Sequence, residues 1–197
     1  MKDFFTTKRI CRAGIIAALY VALTCSFGAI GYSGFLEIRP AEALCILPLF
    51  YAEAIPALFI GCMLGNLISQ FGIYDILLGP VATLIAAFAT YGMGRLVKNH
   101  IAKVAAGGIF PVLVNAFLVP VIIVVLYGDH MGYGSAAIAY WTCFASLVVT
   151  QSLWVYALGS PLYYFICKMR KKGVAVFLDG KKIPAEKAES SAENNGI

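Results

Sequence analysis

Glu37, Arg39 and Glu42 fall within six positions of one another, in a chain whose neighbouring stretches carry almost no charge. Ionisable side chains at membrane depth are costly, so each is a functional candidate. Two readings of the trio stand side by side. In one, the charges close a surface loop as an ion pair worth about 0–1 kcal/mol. In the other, Pro40 helps to begin a helix whose end faces a cavity. Glu42 then accepts hydrogen bonds from a ligand's N–H groups there, and Arg39 orients Glu42 or contacts a polar ligand group. Asp75 and Asp129 are further acidic groups near the same boundary. Glu53 belongs to the opposite boundary and reads as a turn residue, or as a helix N-terminal charge favoured by the macrodipole.

The uncharged polar side chains in apolar surroundings include Asn66, Asn115 and Gln151. An amide in a membrane helix either glues helices together, for about 0.6–2 kcal/mol, or meets a ligand. Gln151 and Trp154 are three apart and share a helix face. A flat heteroaromatic ligand could stack on Trp154 while Gln151 binds its edge; alternatively Trp154 faces lipid or core. Tyr32, Tyr74, Tyr127 and Tyr133 near the outer ends read as an interfacial belt.

Catalytic motifs are missing. No Gly-rich phosphate loop ends in Lys, so the chain is not expected to hydrolyse ATP itself. His100 and His130 lie far apart with no nucleophile in a catalytic spacing. No Asp/His pair sits in mid-span, as a proton relay or an intramembrane metalloprotease needs. The expectation is a non-enzyme without metal or cofactor. The six cysteines have no CxxC and no His partner nearby, and read as small buried hydrophobes rather than ligands or disulfides.

The elements that position these groups follow from composition. Of 197 residues, 61% are hydrophobic and 13% charged, against about 45–50% and 25% in a soluble domain. That excludes an ordinary soluble, disordered or nucleic-acid-coating protein. Charge-free windows cover 13–36, 54–74, 76–94, 104–128 and 130–167, and a membrane helix needs roughly 20 residues. All but one of the 15 Lys and Arg fall in three clusters, 2–12, 95–103 and 168–187, the exception being Arg39. The positive-inside rule places all three clusters on the cytoplasmic side. Both termini are then inside, and an even number of crossings is required. The sixth is a short one from Pro40, tolerable where its polar ends face protein or a cavity. The predicted fold is an all-α integral membrane protein, a six-helix bundle over residues 1–172. Its spans run at about 10–30, 41–52, 54–71, 76–96, 105–127 and 137–167, with outer loops 31–40, 72–75 and 128–136. Gly159-Ser160-Pro161 should kink or end the lipid-buried part of the last helix. The polar tail 173–197 is expected to be disordered. No internal repeat is evident, which argues against a self-sufficient inverted-repeat transporter.

Small residues recur four apart. Ala13 and Ala17, and Ala18 and Ala22, form two pairs in the first helix; Gly61 and Gly65, and Ala82, Ala86, Thr90 and Gly94, form later rows. Such rows let helices approach closely. Either all pack the bundle, or the first docks another membrane protein.

The stretch Ile38-Arg39-Pro40-Ala41-Glu42-Ala43-Leu44, followed by Leu47-Pro48, resembles the QueT family of substrate-binding S components of energy-coupling factor (ECF) transporters. Gly61-Cys62-Met63-Leu64-Gly65-Asn66-Leu67, Asp75-Ile76-Leu77-Leu78-Gly79-Pro80 and the alanine pairs support the likeness, which spans about residues 8–170. The resemblance implies six helices with a site on the outer side, between the first loop and helices four to six. It implies a transmembrane T component, docked through Ala13, Ala17, Ala18 and Ala22, and two cytoplasmic ATPases. It implies a bacterial cell membrane, release by toppling, and a queuosine precursor as ligand: queuine, or an aminomethyl or cyano 7-deazaguanine. Glu42 could then accept the deazaguanine N–H groups. Trp141 or Trp154 could stack on the ring, and Asn66, Asn115 or Gln151 could read the carbonyl. Glu37, Asp75 or Asp129 could pair with an aminomethyl cation.

Overall fold

The structure is a computed structural model and describes residues 6–28, 39–69, 72–130 and 132–178. Every element among them is helical. In order they are α1 (Thr7–Ser26), a 3-10 helix (Pro40–Leu49), α2 (Ala54–Gly65, continued by a 3-10 turn Asn66–Ile68) and α3 (Gly72–Leu96). Then come α4 (His100–Pro120, continued as a π-helix Val121–Leu126), α5 (Ala136–Ala157) and α6 (Gly159–Lys171). Four helical stretches are long and apolar enough to cross a membrane: Thr7–Ser26, Gly72–Leu96, His100–Leu126 and Ala136–Lys171. Pro40–Leu49 and Ala54–Ile68 are shorter apolar helices. The architecture is the helical membrane bundle expected from composition.

The chain divides into two compact units, residues 1–163 and 164–197. In the first, polarity is inverted relative to a soluble protein. On α3, Leu77, Val81, Ile85 and Phe88 are exposed, a stripe suited to lipid. Its opposite face buries Asp75, Gly79, Ala82, Thr83, Ala86 and Thr90. On α1 the buried residues are Arg12, Ile16, Tyr20 and Thr24, each four apart. The Gly61 and Gly65 row receives α1: a Cβ at Gly61 would meet Tyr20 Cβ at 2.9 Å, and one at Gly65 would meet Thr24 Cγ2 at 3.1 Å. In the second unit, the rings of Phe165 and Phe177 meet edge-on at 6.0 Å.

The short segment from Pro40, expected as the sixth crossing, takes an unusual form. All ten residues of Pro40–Leu49 are 3-10 and all are buried, whereas such helices rarely exceed three or four residues. At about 2.0 Å per residue it reaches about 20 Å, where an α-helix would reach about 15 Å. The tighter winding thus makes the segment longer than an α-helix of the same ten residues. Pro40 at its first turn lacks an N–H that would be unpaired anyway. The 3-10 helix packs against α1, α2, α3, α4 and α5. At its far end Leu49 lies between close-approaching glycines: a Cβ at Gly94 would meet the Leu49 backbone at 2.8 Å, and one at Gly107 its side chain at 2.7 Å.

Several boundaries differ from the sequence expectation. Residues 72–75, expected as a loop, form the first turn of α3, so Asp75 is helical and buried. Gly72 adopts φ +58°, a left-handed conformation that glycine reaches without strain, which lets the helix start early. The next helix begins at His100 rather than near 105, because the Asn99 side chain accepts the Ile101 N–H at 3.0 Å, an N-cap. Lys103 therefore sits in its first turn. After Pro120 the helix widens into a π-turn, with Tyr127 N–H donating to Ile122 O at 2.9 Å; the proline supplies no N–H and crowds the preceding turn. The last long helix breaks at Leu158, just ahead of Gly159-Ser160-Pro161. Residues 175–177 of the polar tail form a 3-10 turn, and 179–197 lie outside the described residues.

Candidate functional site

Glu42 sits on the first turn of the 3-10 helix with 1% of its surface exposed. Residues three apart eclipse in this geometry, so Cys45 stands beside Glu42 and its Sγ donates to Oε2 at 3.2 Å. From α1, the Tyr20 hydroxyl donates to Oε1 at 3.0 Å. From α4, Asn115 Nδ2 donates to Oε2 at 3.2 Å. A carboxylate in an apolar bundle must be hydrogen-bonded or it costs several kcal/mol, about 2–7 even for a neutral polar group. Three elements meet that demand here.

A second polar group adjoins the first. Arg39 Nη2 lies 3.6 Å from Asp75 Oδ2, joining the start of the 3-10 helix to α3. Asn66 Nδ2 donates to the Asp75 backbone carbonyl at 2.8 Å and lies 3.7 Å from Cys62 Sγ. Thr83 Oγ1 donates to Cys62 Sγ at 3.3 Å. Gly79 leaves the room this needs, since a Cβ there would strike Asn66 Nδ2 and approach Asp75 Oδ1 to 3.2 Å. The two groups meet where Tyr20 packs on Gly61, the neighbour of Cys62.

Arg39, Glu42, Asn66, Asp75 and Asn115 are all buried and converge on these two groups. Arg39 and Glu42 are both buried rather than on a surface loop: Arg39 faces Asp75, and Glu42 takes bonds from Tyr20, Cys45 and Asn115. Glu37 lies outside the described residues. Gln151, on α5, is 1% exposed, and its Oε1 has no hydrogen-bond partner. Trp154 is half-buried. Trp141 is 60% exposed and stands apart, edge-on to Tyr140 and Phe144 at 5.4 and 5.5 Å. That patch suits an interfacial belt. Asp129 is half-buried beyond the π-turn.

Of the α1 alanines, Ala18 and Ala22 are exposed, in one row with Gly14, while Ala13 and Ala17 are half-buried. Cys11 and Cys25 are also exposed, which corrects the expectation that the cysteines are all buried; Cys45 and Cys62 are buried among polar partners. Among the described residues no group of three or more His, Cys, Asp or Glu could hold a metal ion.

A separate cluster closes the other end of α1. Arg12 Nη1 binds Glu53 Oε1 at 2.7 Å, and its guanidinium lies 4.0 Å above the Tyr51 ring. Glu53 is therefore one half of a buried ion pair, not a solvated turn charge. Nearby in sequence, Phe50 stacks on Tyr163, whose hydroxyl is 2.8 Å from His100 Nδ1.

Sequence reasoning missed Tyr20, Cys45, Cys62, Thr83 and the Arg12–Glu53 pair. The signal for Tyr20 was available: Arg12, Tyr20 and Thr24 are polar residues on one four-residue repeat, which the neighbouring alanines masked. Cys45 becomes a partner of Glu42 only through 3-10 winding, which the sequence does not announce.

The profile of a protein family described as QueT transporter matches residues 10–168. A curated relative, named Queuosine precursor transporter QueT of Lactococcus lactis subsp. cremoris, is 40% identical over 81 residues, which is 40% of this chain and 47% of the relative. The chain spans about half the length of this curated relative. No solved structure matches.

Proposed function

The chain belongs to the QueT transporter family, and from that premise we propose that it is the substrate-capture (S) subunit of an ATP-driven ECF importer. Its ligand is a queuosine precursor, queuine or a 7-deazaguanine. The observation that carries this reading is the convergence of Arg39, Glu42, Asn66, Asp75 and Asn115 on one polar core inside an apolar bundle. Ionisable groups are expensive in an apolar bundle, so a core of this kind is by default a site that recognises something polar. The relative's name, a queuosine precursor transporter, supports the ligand class. A deazaguanine edge carries both N–H donors and a carbonyl, which carboxylates and amides can read together.

Energy comes from partners, a transmembrane T component and two cytoplasmic ATPases, since the sequence has no phosphate-binding loop of its own. The exposed row Gly14, Ala18 and Ala22 is the docking face, flanked by Ala13 and Ala17. The three basic clusters set both termini on the cytoplasmic side of a bacterial cell membrane. The subunit binds and releases its ligand without chemistry, cofactor, metal or nucleic acid.

The test is binding to the purified, detergent-solubilised chain, read by intrinsic Trp fluorescence. The panel is queuine, the aminomethyl and cyano 7-deazaguanines, guanine, riboflavin and biotin. Tight binding of a deazaguanine with much weaker guanine binding is the expected result. Binding of riboflavin or biotin instead would keep the capture role and discard the ligand. No binding by folded protein would discard both and favour a membrane scaffold.

A further inference from the structure

The amides singled out by sequence are not equivalent in the structure. Asn66 spends its Nδ2 on the Asp75 carbonyl, and Asn115 spends its Nδ2 on Glu42. Glu42 already accepts from Tyr20, Cys45 and Asn115. A carboxylate offers roughly four lone-pair positions, so little of Glu42 is left for a ligand. Gln151 differs: it is as buried as Glu42, and its carbonyl oxygen has no partner. A buried acceptor left unpaired costs about 1–3 kcal/mol.

Its surroundings place it beside the elements that carry Glu42 and Asn115. Cys143, Leu147, Gln151 and Val155 form one buried stripe of α5, four residues apart. Four residues further on, a Cβ at Gly159 would meet the carbonyl oxygen of Ala43, Glu42's neighbour on the 3-10 helix, at 3.3 Å. Leu147, one turn the other way, belongs to the same buried cluster as Ala116, Asn115's neighbour on α4. Gln151 is thus bracketed by Leu147 within α5 and by Gly159 just past the break that ends it, which contact the two elements that hold Glu42 and Asn115.

We infer that Gln151 is the specificity-determining group of the ligand site and that Glu42 is a positioning residue. This rests on the capture-subunit reading above. Here the acceptor is the unpartnered atom of a carboxamide, which presents one acceptor and one donor side by side. Its complement is a cis-lactam edge, an N–H next to a C=O, as on the six-membered ring of a guanine-type heterocycle. The N–H donates to the Gln151 carbonyl, and the ring carbonyl accepts from its NH2. Heterocycles without that edge lose both bonds.

The experiment compares 7-cyano-7-deazaguanine with its O6-methyl derivative, which lacks the ring N–H and replaces the carbonyl by an ether. Both are titrated against the native chain, Gln151→Met and Glu42→Gln. Gln151→Met removes an unpaired polar group at nearly constant volume, so it should fold and melt no lower than the native chain. The native protein should prefer the lactam by roughly a hundredfold, the loss of two hydrogen bonds at about tenfold each. Gln151→Met should bind the lactam roughly a hundredfold more weakly and the O6-methyl compound unchanged, abolishing the preference. Glu42→Gln should weaken both compounds alike and keep their ratio. A Gln151→Met protein that retains affinity and preference would overturn the inference and leave Gln151 as an unsatisfied core amide. A preference lost in Glu42→Gln but kept in Gln151→Met would reverse the assigned roles. Failure of the native chain to bind either compound would instead defeat the deazaguanine assignment on which the inference rests.

Discussion

Tyr20 donates its hydroxyl proton to Glu42 Oε1 across 3.0 Å, from the same stripe of α1 that carries Arg12. The two residues are eight apart, about 12 Å along an α-helix. Arg12 ends on Glu53 at one level and Tyr20 on Glu42 at another. One helix therefore grips the segment 42–53 near both ends of the 3-10 helix. The opposite side of α1 exposes Gly14, Ala18 and Ala22, so the helix that holds the polar core also presents the proposed docking face.

Tyr20→Phe removes one of Glu42's three donors while keeping the ring that packs on Gly61. Hydrogen bonds inside membrane proteins average about 0.6 kcal/mol, but those to charged groups reach about 1.5–3 kcal/mol. The variant should lose about 1–2 kcal/mol of stability, read as a lower melting temperature in detergent. It should also bind 7-deazaguanines more weakly. An unchanged melting temperature would mean that Tyr20 does not hold Glu42.

Arg12→Met leaves Glu53 buried without its ion-pair partner. Breaking a buried pair costs about 3–5 kcal/mol, whereas replacing both members is often neutral. The single variant should therefore melt well below the native protein, and Arg12→Met/Glu53→Gln should recover most of the loss. If the double variant is no more stable than the single one, the pair is not the source of the effect.

Gly79→Ala and Gly92→Ala place the same methyl on the same helix with opposite results. Alanine gains up to about 1 kcal/mol over glycine in a helix interior. At Gly92 the new Cβ meets nothing within 4 Å, so the variant should be neutral or stabilised. At Gly79 it strikes the Asn66 amide that binds the Asp75 carbonyl. Stranding those groups costs about 1–3 kcal/mol, so the net change is a loss near 1 kcal/mol and weaker ligand binding. Equal melting temperatures for the two variants would contradict the packing at Gly79.

Ala18→Trp and Ala22→Trp test the docking face. Both side chains are exposed, so the isolated chain should fold and bind ligand as before. Small residues four apart permit close helix approach, and an indole prevents it. Co-purification of the T component and the ATPases should be lost. Intact assembly with either variant would move the docking face elsewhere.

The membrane class, the number of helices and the polar candidates were legible in the sequence because they depend on composition and local periodicity. A charge-free run of about 20 residues fits one setting wherever its neighbours lie. Glu42, Arg39, Asn66, Asp75 and Asn115 stood out because each is expensive in lipid. What lay beyond reach was pairing. Arg39 meets Asp75, thirty-six residues away, across the start of the 3-10 helix and α3. Arg12 read as one more cytoplasmic charge until α1 was set against the segment that carries Glu53. The winding of Pro40–Leu49 was equally hidden: a 3-10 helix of ten residues is unfavourable by local propensity and exists because five elements surround it and fix the distance it must cover. The difference between Gln151 and the other amides had the same origin. Asparagine and glutamine look alike in a sequence, and only the tertiary arrangement determined which of them kept a carbonyl oxygen without a partner.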